Sequence, residues 1–391
     1  MESLKYELAE ETRKGARIKV IGVGGGGSNA VGRMYEEGLD GVEFYVMNTD
    51  AQALEASRVP NKIQIGAKVT NGLGAGSDPA IGRQAALEDT ERILAILDGA
   101  DLVFLTAGLG GGTGAGASPV VATLARELDA LTIAIVTKPF AFEGGKRMRQ
   151  AERSVSDLAA CVDILTTIPN DRLLTIAPKG TTMAQAFKIA DDILRQAVQG
   201  ISEIMLKPGL INLDFSDIKG AISGMGHALI GSAAAKGPNA AVEAARAAIN
   251  SPLLEDTKIK GARQVLMNIT GPPDIGLHEV NDACSIIRAA ADSDDLQLNF
   301  GVIANDAMGD TVIVTVIATG FMTPADRETK RESMIEPKPV SEFFAERASE
   351  PAVVLTNAPE PVEEPIPVSA ASVFEEELDV PAYLRQGKLL N

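Results

Sequence analysis

The stretch GLGGGTGAG at 108–116 follows the apolar run ADLVFLTA (100–107) and leads directly into ASPVVATLARELDA (117–130). Five glycines within the eight residues from Leu109 would spoil the interior of a strand or a helix, because glycine loses more conformational freedom on folding than any other residue. A strand before the glycines and a helix after them give them a purpose. The first amides of a helix are free and its N-terminal end is positive, so a glycine turn there lets a phosphate approach bare backbone.

A second turn of this kind lies near the start of the chain. In GVGGGGSNA (22–30), Gly22, Gly24 and Gly27 fit G-x-G-x-x-G between a strand and a helix, and Asp50 ends the next strand. That is the arrangement of a dinucleotide site. Taken alone it supports an NAD(P)-dependent oxidoreductase with a Rossmann-type site, or a tight turn with no ligand. A dinucleotide needs one such turn for its pyrophosphate, whereas two turns on neighbouring strand ends suit a longer phosphate chain. The sequence has no G-x-x-x-x-G-K-[ST], so phosphate charge falls to backbone amides, to hydroxyls such as that of Thr113, and to Mg2+ held mainly through phosphates and water. A third segment, NGLGAGSDP (71–79), also precedes a helix. Ala75 and Gly76 can close over a terminal phosphate there, or Ser77 or Asp78 can act as an ordinary N-cap.

Around these turns, short β-rich runs alternate with helical ones: IKVIGVG, VEFYVMNTD, NKIQIG, a long helical stretch over 79–99, then DLVFLTA, LTIAIVT and DILTTIPN. Continuous apolar strands separated by helices predict a doubly wound parallel sheet in an α/β domain ending near residue 175. In the following segment Met183, Phe187, Ala190, Leu194, Ala197, Ile201 and Ile204 step by four and three. This predicts one apolar stripe along a central helix of roughly 25 residues, about 38 Å long. RQVLMNITG, LQLNFGVIAND and DTVIVTVIATG, alternating with AAVEAARAAIN and LHEVNDACSIIRAAA, predict a smaller second α/β domain.

From Phe321 the character changes. Nine of the 20 prolines fall there, with 14 acidic residues against seven basic ones, so the segment reads as a disordered, self-repelling linker. The end, DVPAYLRQGKLLN (379–391), regains Val380, Tyr383 and Leu384 beside Arg385 and Lys388, a composition suited to a docking peptide or to a simple tail.

Across all 391 residues the composition is that of a globular chain, 45% hydrophobic with a net charge of −17. Such acidity argues against nucleic acid, which is held by clustered Lys and Arg. Cys161, Cys284, His227 and His278 are far apart, so neither a zinc site nor a disulfide framework is expected, and both cysteines read as core residues. The N-terminal segment mixes charges, and no apolar run approaches the length of a membrane span. The expectation is a soluble, cytoplasmic protein without direct membrane insertion.

At the glycine-rich segments a resemblance becomes specific. GGGTGAG is similar to the tubulin signature, and GVGGGGSNAV, VMNTDAQAL, LGAGSDP, PFAFEGGKR, IPNDRLL, AFKIADDIL and GLINLDFSD stand in the order found in the FtsZ family of bacterial tubulin-like cell-division GTPases. The resemblance runs from residue 17 to about 320, and the last residues look like that family's terminal peptide. It implies a flexible tail at 1–16, a GTP-binding domain at 17–178, a central helix at 179–207, a GTPase-activating domain at 208–320, a linker at 321–378 and a partner-binding peptide at 379–391.

Carried over by position, the resemblance implies phosphate contacts from Gly25, Gly26, Gly27, Ser28, Asn29, Gly76, Gly112, Thr113 and Gly114. Glu143 and Arg147 would reach the ribose, although an i,i+4 surface salt bridge explains their spacing equally. Phe187 would stack on the base while Asn170 and Asp191 pair with its edge. Guanine presents N–H donors at N1 and N2, which suit a carboxylate, whereas adenine presents an acceptor at N1. Asp191 can also be a plain exposed helix charge.

The segment NLDFSD holds Asn212, Asp214 and Asp217, and Asp217 alone reads as an N-cap for DIKGAIS. The resemblance implies that this loop enters the nucleotide site of the next subunit, where Asp214 and Asp217 position the attacking water. Such a head-to-tail contact does not close, so it builds an open filament. The implied setting is the division ring at mid-cell on the inner face of the membrane, with membrane-tethering and regulating proteins bound through 379–391. Ser28 and Tyr383 depart from residues common in the family and bear on affinity and partner choice. A non-hydrolysing, nucleotide-dependent scaffold is a third reading, against which Asp214 and Asp217 argue.

Overall fold

The structure, a computed structural model, describes residues 15–207, 209–251, 259–293 and 295–321. The sequence expectations for residues 1–14 and for the linker and peptide from residue 322 lie outside the described residues. In chain order the elements of the first part are β1 (Ile18–Val23), α1 (Gly24–Glu37), β2 (Val42–Asn48), α2 (Ala51–Ala56), β3 (Asn61–Gln64), α3 (Ala67–Thr70), α4 (Pro79–Glu88), α5 (Thr90–Leu97), β4 (Leu102–Gly108), α6 (Thr113–Glu127), β5 (Leu131–Lys138), α7 (Gly145–Ala159), β6 (Ile164–Pro169), α8 (Leu173–Ile176) and α9 (Met183–Leu206). After α10 (Phe215–Ile222) come β7 (Gly226–His227), β8 (Leu229–Lys236), α11 (Ala240–Ile249), β9 (Gln264–Gly271), α12 (Leu277–Ala291), β10 (Gln297–Ala304) and β11 (Thr311–Thr319).

The first sheet has seven strands in the order β3-β2-β1-β4-β5-β6-β7, paired in parallel throughout. β1 is buried along its whole length because helices cover both faces, which is why such strands are apolar without alternation. On one face, Ala30, Val31 and Met34 of α1 and Leu194, Val198 and Ile201 of α9 pack on Val20, Phe104 and Ile133. On the other, Ala85, Ile93, Val121 and Leu158 cover Ile21, Val103 and Leu105. The doubly wound sheet read from the sequence is therefore present.

The smaller sheet runs β10-β9-β11-β8. It is mixed: β10 and β9 are parallel, and β11 is antiparallel to both β9 and β8. One face carries α11 and α12. Toward α9 the approach is so close that a Cβ on Gly200 would stand 2.6 Å from the Thr315 side chain, and Asn268 Nδ2 donates to Gly200 O at 3.2 Å.

The central helix starts at a capping box in which Thr182 Oγ1 accepts from Gln185 N and Gln185 Oε1 accepts from Thr182 N. Its 24 residues extend about 36 Å at 1.5 Å per residue.

Three readings need correction, and one strand was missed. The helical stretch over 79–99 is two helices, broken at Asp89, whose carboxylate turns back to accept from Gly66 N at 2.7 Å. The apolar stripe of the central helix is buried only from Ala190 onward. Met183 and Phe187 are 51% and 41% exposed, and Phe187 borders an open cleft rather than the core. β8, rich in alanine, carried no strand signal. Both cysteines are half-buried rather than core, and both are free thiols.

Candidate nucleotide-binding site

Strands β1 and β4 are neighbours, with Val23 level with Ala107, so the two glycine turns that follow them lie side by side at the C-terminal edge of the sheet. Each opens a helix, α1 at Gly24 and α6 at Thr113. Two positive helix ends and two sets of free amides thus face the same space.

The glycines divide into two groups by what surrounds them. A Cβ on Gly24 would stand 2.8 Å from Gly114 N, one on Gly112 would stand 2.8 Å from Asp78 N, and one on Gly116 would collide with Pro79 O. These glycines let the two turns and α4 pack backbone against backbone. Around Gly25, Gly111 and Gly76, nothing lies within 4 Å of a built Cβ, so these three leave room for a ligand. Part of the glycine richness first read as access for phosphate therefore serves internal packing.

Beside the turns lies a cleft of about 410 Å³ lined by Gly26, Asn29, Glu143, Arg147, Asn170, Phe187 and Asp191 among others. It draws together seven of the residues singled out from the sequence. Ser28 lies under the α1 turn with its Oγ buried and without a hydrogen-bond partner among the described residues, and Asn170 Oδ1 at the cleft is in the same condition. Buried polar atoms without partners are uncommon in a finished structure and fit positions that a ligand completes. Phe187 meets Phe140 edge-on, with ring centroids 5.8 Å apart, which fixes one edge of its ring and leaves much of it exposed. Glu143 and Arg147 do form the i,i+4 salt bridge, at 2.9 Å, and Glu143 Oε1 also accepts from Phe140 N. Because that pair lines the cleft, the surface-bridge and ligand readings are compatible.

Asp191 is not an exposed helix charge. It is 9% exposed, and Arg33 Nη1 lies 2.8 Å from its Oδ2. Burial pushes its pKa up to about 6, with the nearby Arg33 charge pulling the other way.

Three residues that the sequence reading missed support the site, two of them at the glycine turns and one, Arg33, beside Asp191. Thr49, on the turn after β2, shares a buried 2.7 Å hydroxyl hydrogen bond with Thr113. Gln150 Nε2 donates to Ser77 O at 3.0 Å and to Gly111 O at 2.9 Å, joining the loop over 71–78 to the glycine turn. Arg33 is the third. Of these, only Arg33 carried a usable signal, since it follows Asn29 by one helical turn on the same face. In the loop itself, Asp78 is the N-cap of α4 and accepts from Ala80 N, while Gly76 adopts φ +57°.

Asn212, Asp214 and Asp217 lie elsewhere, beyond the C-terminal end of α9. All three are exposed. Asn212 Oδ1 is taken by Gly209 N, which fixes the turn entering the loop. Asp217 is not an N-cap: Asp214 occupies the N-cap position of α10 without a side-chain capping bond, and Asp217 falls inside the first turn. Neither carboxylate has a hydrogen-bond or ion-pair partner among the described residues. The loop is held from behind. Lys219 Nζ on α10 meets Asp129 Oδ2 at 3.0 Å, and Asp163, 8% exposed, accepts from Ser223 Oγ and Gly224 N just after the helix.

Asp50, the residue that a dinucleotide site would use for ribose, is committed locally. Its Oδ1 accepts from Gln52 N and Ala53 N as the N-cap of α2. The dinucleotide reading thereby loses its second anchor.

A doubly wound sheet with two helix-opening glycine turns, a long central helix and a second sheet defines the tubulin-like class of guanine-nucleotide hydrolases, and comparison with known proteins agrees. Residues 17–178 match the GTPase domain of the tubulin/FtsZ family, and residues 226–322 match the FtsZ family C-terminal domain. The structure is similar to an empty FtsZ dimer from M. jannaschii, with 40% identity over 79% of this chain and 89% of that one and a TM-score of 0.73. A point-mutant FtsZ from the same organism gives 40% identity over 78% and 92% of the two chains and a TM-score of 0.74. A GTPγS-bound protofilament of CetZ2 from Haloferax volcanii, at 22% identity over 85% and 100% with a TM-score of 0.68, shares the fold. The chain belongs to the FtsZ family and is a GTPase.

Proposed function

We propose that this protein polymerises head to tail into filaments and hydrolyses GTP at the contact between subunits, where Asn212, Asp214 and Asp217 of one subunit complete the nucleotide site of the next. The observation that carries this reading is a separation. The cleft with Phe187 and Asp191 lies in the N-terminal part of α9, while the exposed carboxylates, unpartnered among the described residues, lie beyond its far end, separated from the cleft by roughly 22–28 Å of helix. Within one subunit they cannot meet, so a second copy must bring them together. The dimer and protofilament described for the FtsZ and CetZ2 relatives support assembly.

In this reading the amides of Gly25, Gly26, Gly27, Ser28, Asn29, Gly112, Thr113 and Gly114 hold the phosphates, and Gly76 closes over the terminal one. Glu143 and Arg147 reach the ribose, Phe187 stacks on guanine, and Asn170 and Asp191 pair with its edge. Mg2+ suits this cradle, whose phosphate end offers amides and hydroxyls rather than carboxylates. The metal would be held by phosphate oxygens and water and would neutralise charge on the transferring group. Hydrolysis removes the phosphate under the loop over 71–78 and loosens the contact, coupling turnover to disassembly.

The filament forms the division ring of a bacterial cell at the inner face of the membrane at mid-cell, with residues 379–391 as the docking peptide for tethering and regulating proteins. The domain limits follow the same reading: 17–178 for nucleotide binding, 179–207 for the central helix and 208–320 for activation. Among the described residues no helix is long and apolar enough to cross a membrane, which fits recruitment through partners.

The test is phosphate release from GTP and Mg2+ across a protein dilution series, with light scattering recorded in parallel, for the wild type and Asp214→Ala. Specific activity and scattering should rise together above a threshold, and the variant should scatter but hydrolyse poorly. Activity strictly proportional to protein, without scattering, would reject the composite site.

A further inference from the structure

Two charged residues meet across the base end of the cleft. Arg33 projects from α1 and Asp191 from α9, 2.8 Å apart, with side chains 35% and 11% exposed. The contact is close, yet Arg33 Nη1 is not aligned as a hydrogen-bond donor, so the pair is chiefly electrostatic. Asp191 is therefore a buried carboxylate stabilised by a neighbouring charge more than by local donors. Both residues line the same cleft as Asn170 and Phe187.

The protonation state of such a carboxylate decides what it can recognise. As a carboxylate, it accepts two hydrogen bonds and so matches the adjacent N–H donors of guanine N1 and N2. As a neutral acid, it donates through O–H and accepts through C=O, which matches adenine, whose N1 is an acceptor and whose 6-amino group is a donor. We propose that Arg33 is a specificity-determining residue, which holds Asp191 ionised inside the cleft so that the site reads guanine and refuses adenine. This inference rests on the proposed placement of the base between Phe187 and Asp191.

The surroundings leave that task to Arg33. On α1, Glu37 is paired with Arg195 at 2.6 Å, and on α9 Arg195 also pairs with Asp192 at 2.7 Å, so Arg195 is already neutralised. On the opposite wall Arg147 is paired with Glu143. Beside Asn170, Asp171 accepts from Ala141 N. Lys188, one turn before Asp191 on α9, lines a different hollow, with Lys179 and Gln185. Among the described residues, Arg33 is the cation that pairs with Asp191. Burial already pushes Asp191 up to about 6. Loss of a neighbouring opposite charge raises a carboxyl pKa by about 1 unit or more, which would carry it into the neutral range.

The experiment measures GTP and ATP affinities by calorimetry between pH 5 and 8 for the wild type, Arg33→Met, Arg33→Lys and Asp191→Asn. The ratio of the two affinities is the readout, because the terminal phosphate titrates in the same range but does so in both nucleotides and cancels. In the wild type the preference for GTP should fall on acidification with a midpoint near pH 6. In Arg33→Met the midpoint should move up by about one pH unit and the preference at pH 7 should drop several-fold. Arg33→Lys should restore the wild-type midpoint, and Asp191→Asn should show a weakened preference with no midpoint. An unchanged midpoint in a folded Arg33→Met protein that still prefers GTP overturns the role of Arg33 while leaving the nucleotide site standing. A midpoint that persists in Asp191→Asn overturns it as well. Failure of the wild type to bind GTP in this assay would reject the site itself.

Discussion

Thr49 Oγ1 and Thr113 Oγ1 lie 2.7 Å apart, and both residues are buried. The bond ties the turn after β2 to the first residue of α6, and Thr70 Oγ1 donates to Thr49 O from the other side at 3.3 Å. Replacing Thr49 with Val keeps the shape and leaves the Thr113 hydroxyl without this partner. GTP affinity and turnover should fall by about 3–10-fold, the worth of about 1 kcal/mol for one buried hydrogen bond. Thr49→Ser should recover most of the loss. Nucleotide titration of the three proteins checks this, and an unaffected Val variant would show that the hydroxyl pair does not orient Thr113.

The two groups of glycines should respond differently to alanine. Gly116→Ala drives a methyl group into Pro79 O, and both atoms belong to packed helices, so it should destabilise the fold by about 2–4 kcal/mol through overpacking. Gly25→Ala meets nothing within 4 Å; its melting temperature should stay within a few degrees of wild type while GTP affinity drops. Thermal melts and GTP binding on the pair separate packing from access.

Asp163 accepts from Thr132 N at 2.9 Å, Ser223 Oγ at 3.3 Å and Gly224 N at 3.2 Å, so it joins β5 to the turn that ends α10. Asp163→Ala strands buried donors and should cost about 1–3 kcal/mol. Because that turn sets the pitch of the helix bearing Asp217, turnover in the assembled state should fall further than nucleotide affinity does. Equal losses in both would place the effect on the fold alone.

The buried Asp191 carboxyl makes nucleotide-free stability pH-dependent in a definite direction. Its folded pKa is raised to about 6 from an ordinary 3.8, so between those values the folded protein binds more protons than the unfolded chain. Stability from this group is present at low pH and is lost as pH rises through 6. The stability of Asp191→Asn relative to wild type should therefore increase from pH 4 to pH 7, whatever constant offset arises from leaving Arg33 without its partner. Denaturant titrations at both pH values would refute this if the difference stayed flat.

How much was legible in the sequence depended on range. The strands and glycine turns were readable because an apolar run such as DLVFLTA and a cluster such as GGGTGAG carry their meaning within ten residues. The central helix was readable from its periodicity, but the exposure of Met183 and Phe187 was not, since apolar spacing does not say which part of a helix faces a cleft instead of the core. Asp89 breaks a helix because Gly66, distant in sequence, supplies a donor. Thr49 and Gln150 act through partners 64 and 73 residues away, and no local pattern encodes such pairs. Asp50 matched a fingerprint by spacing, and its side chain was already committed as a cap.

The distance between the cleft and the Asp214 loop has an arithmetical consequence. Under the proposed contact, a row of n subunits contains n − 1 finished catalytic centres, so a lone subunit has none and a pair has one. Output per subunit climbs with row length and then levels off. At one extremity a loaded cleft always waits for its missing half, so the triphosphate there outlives those along the row until another subunit docks.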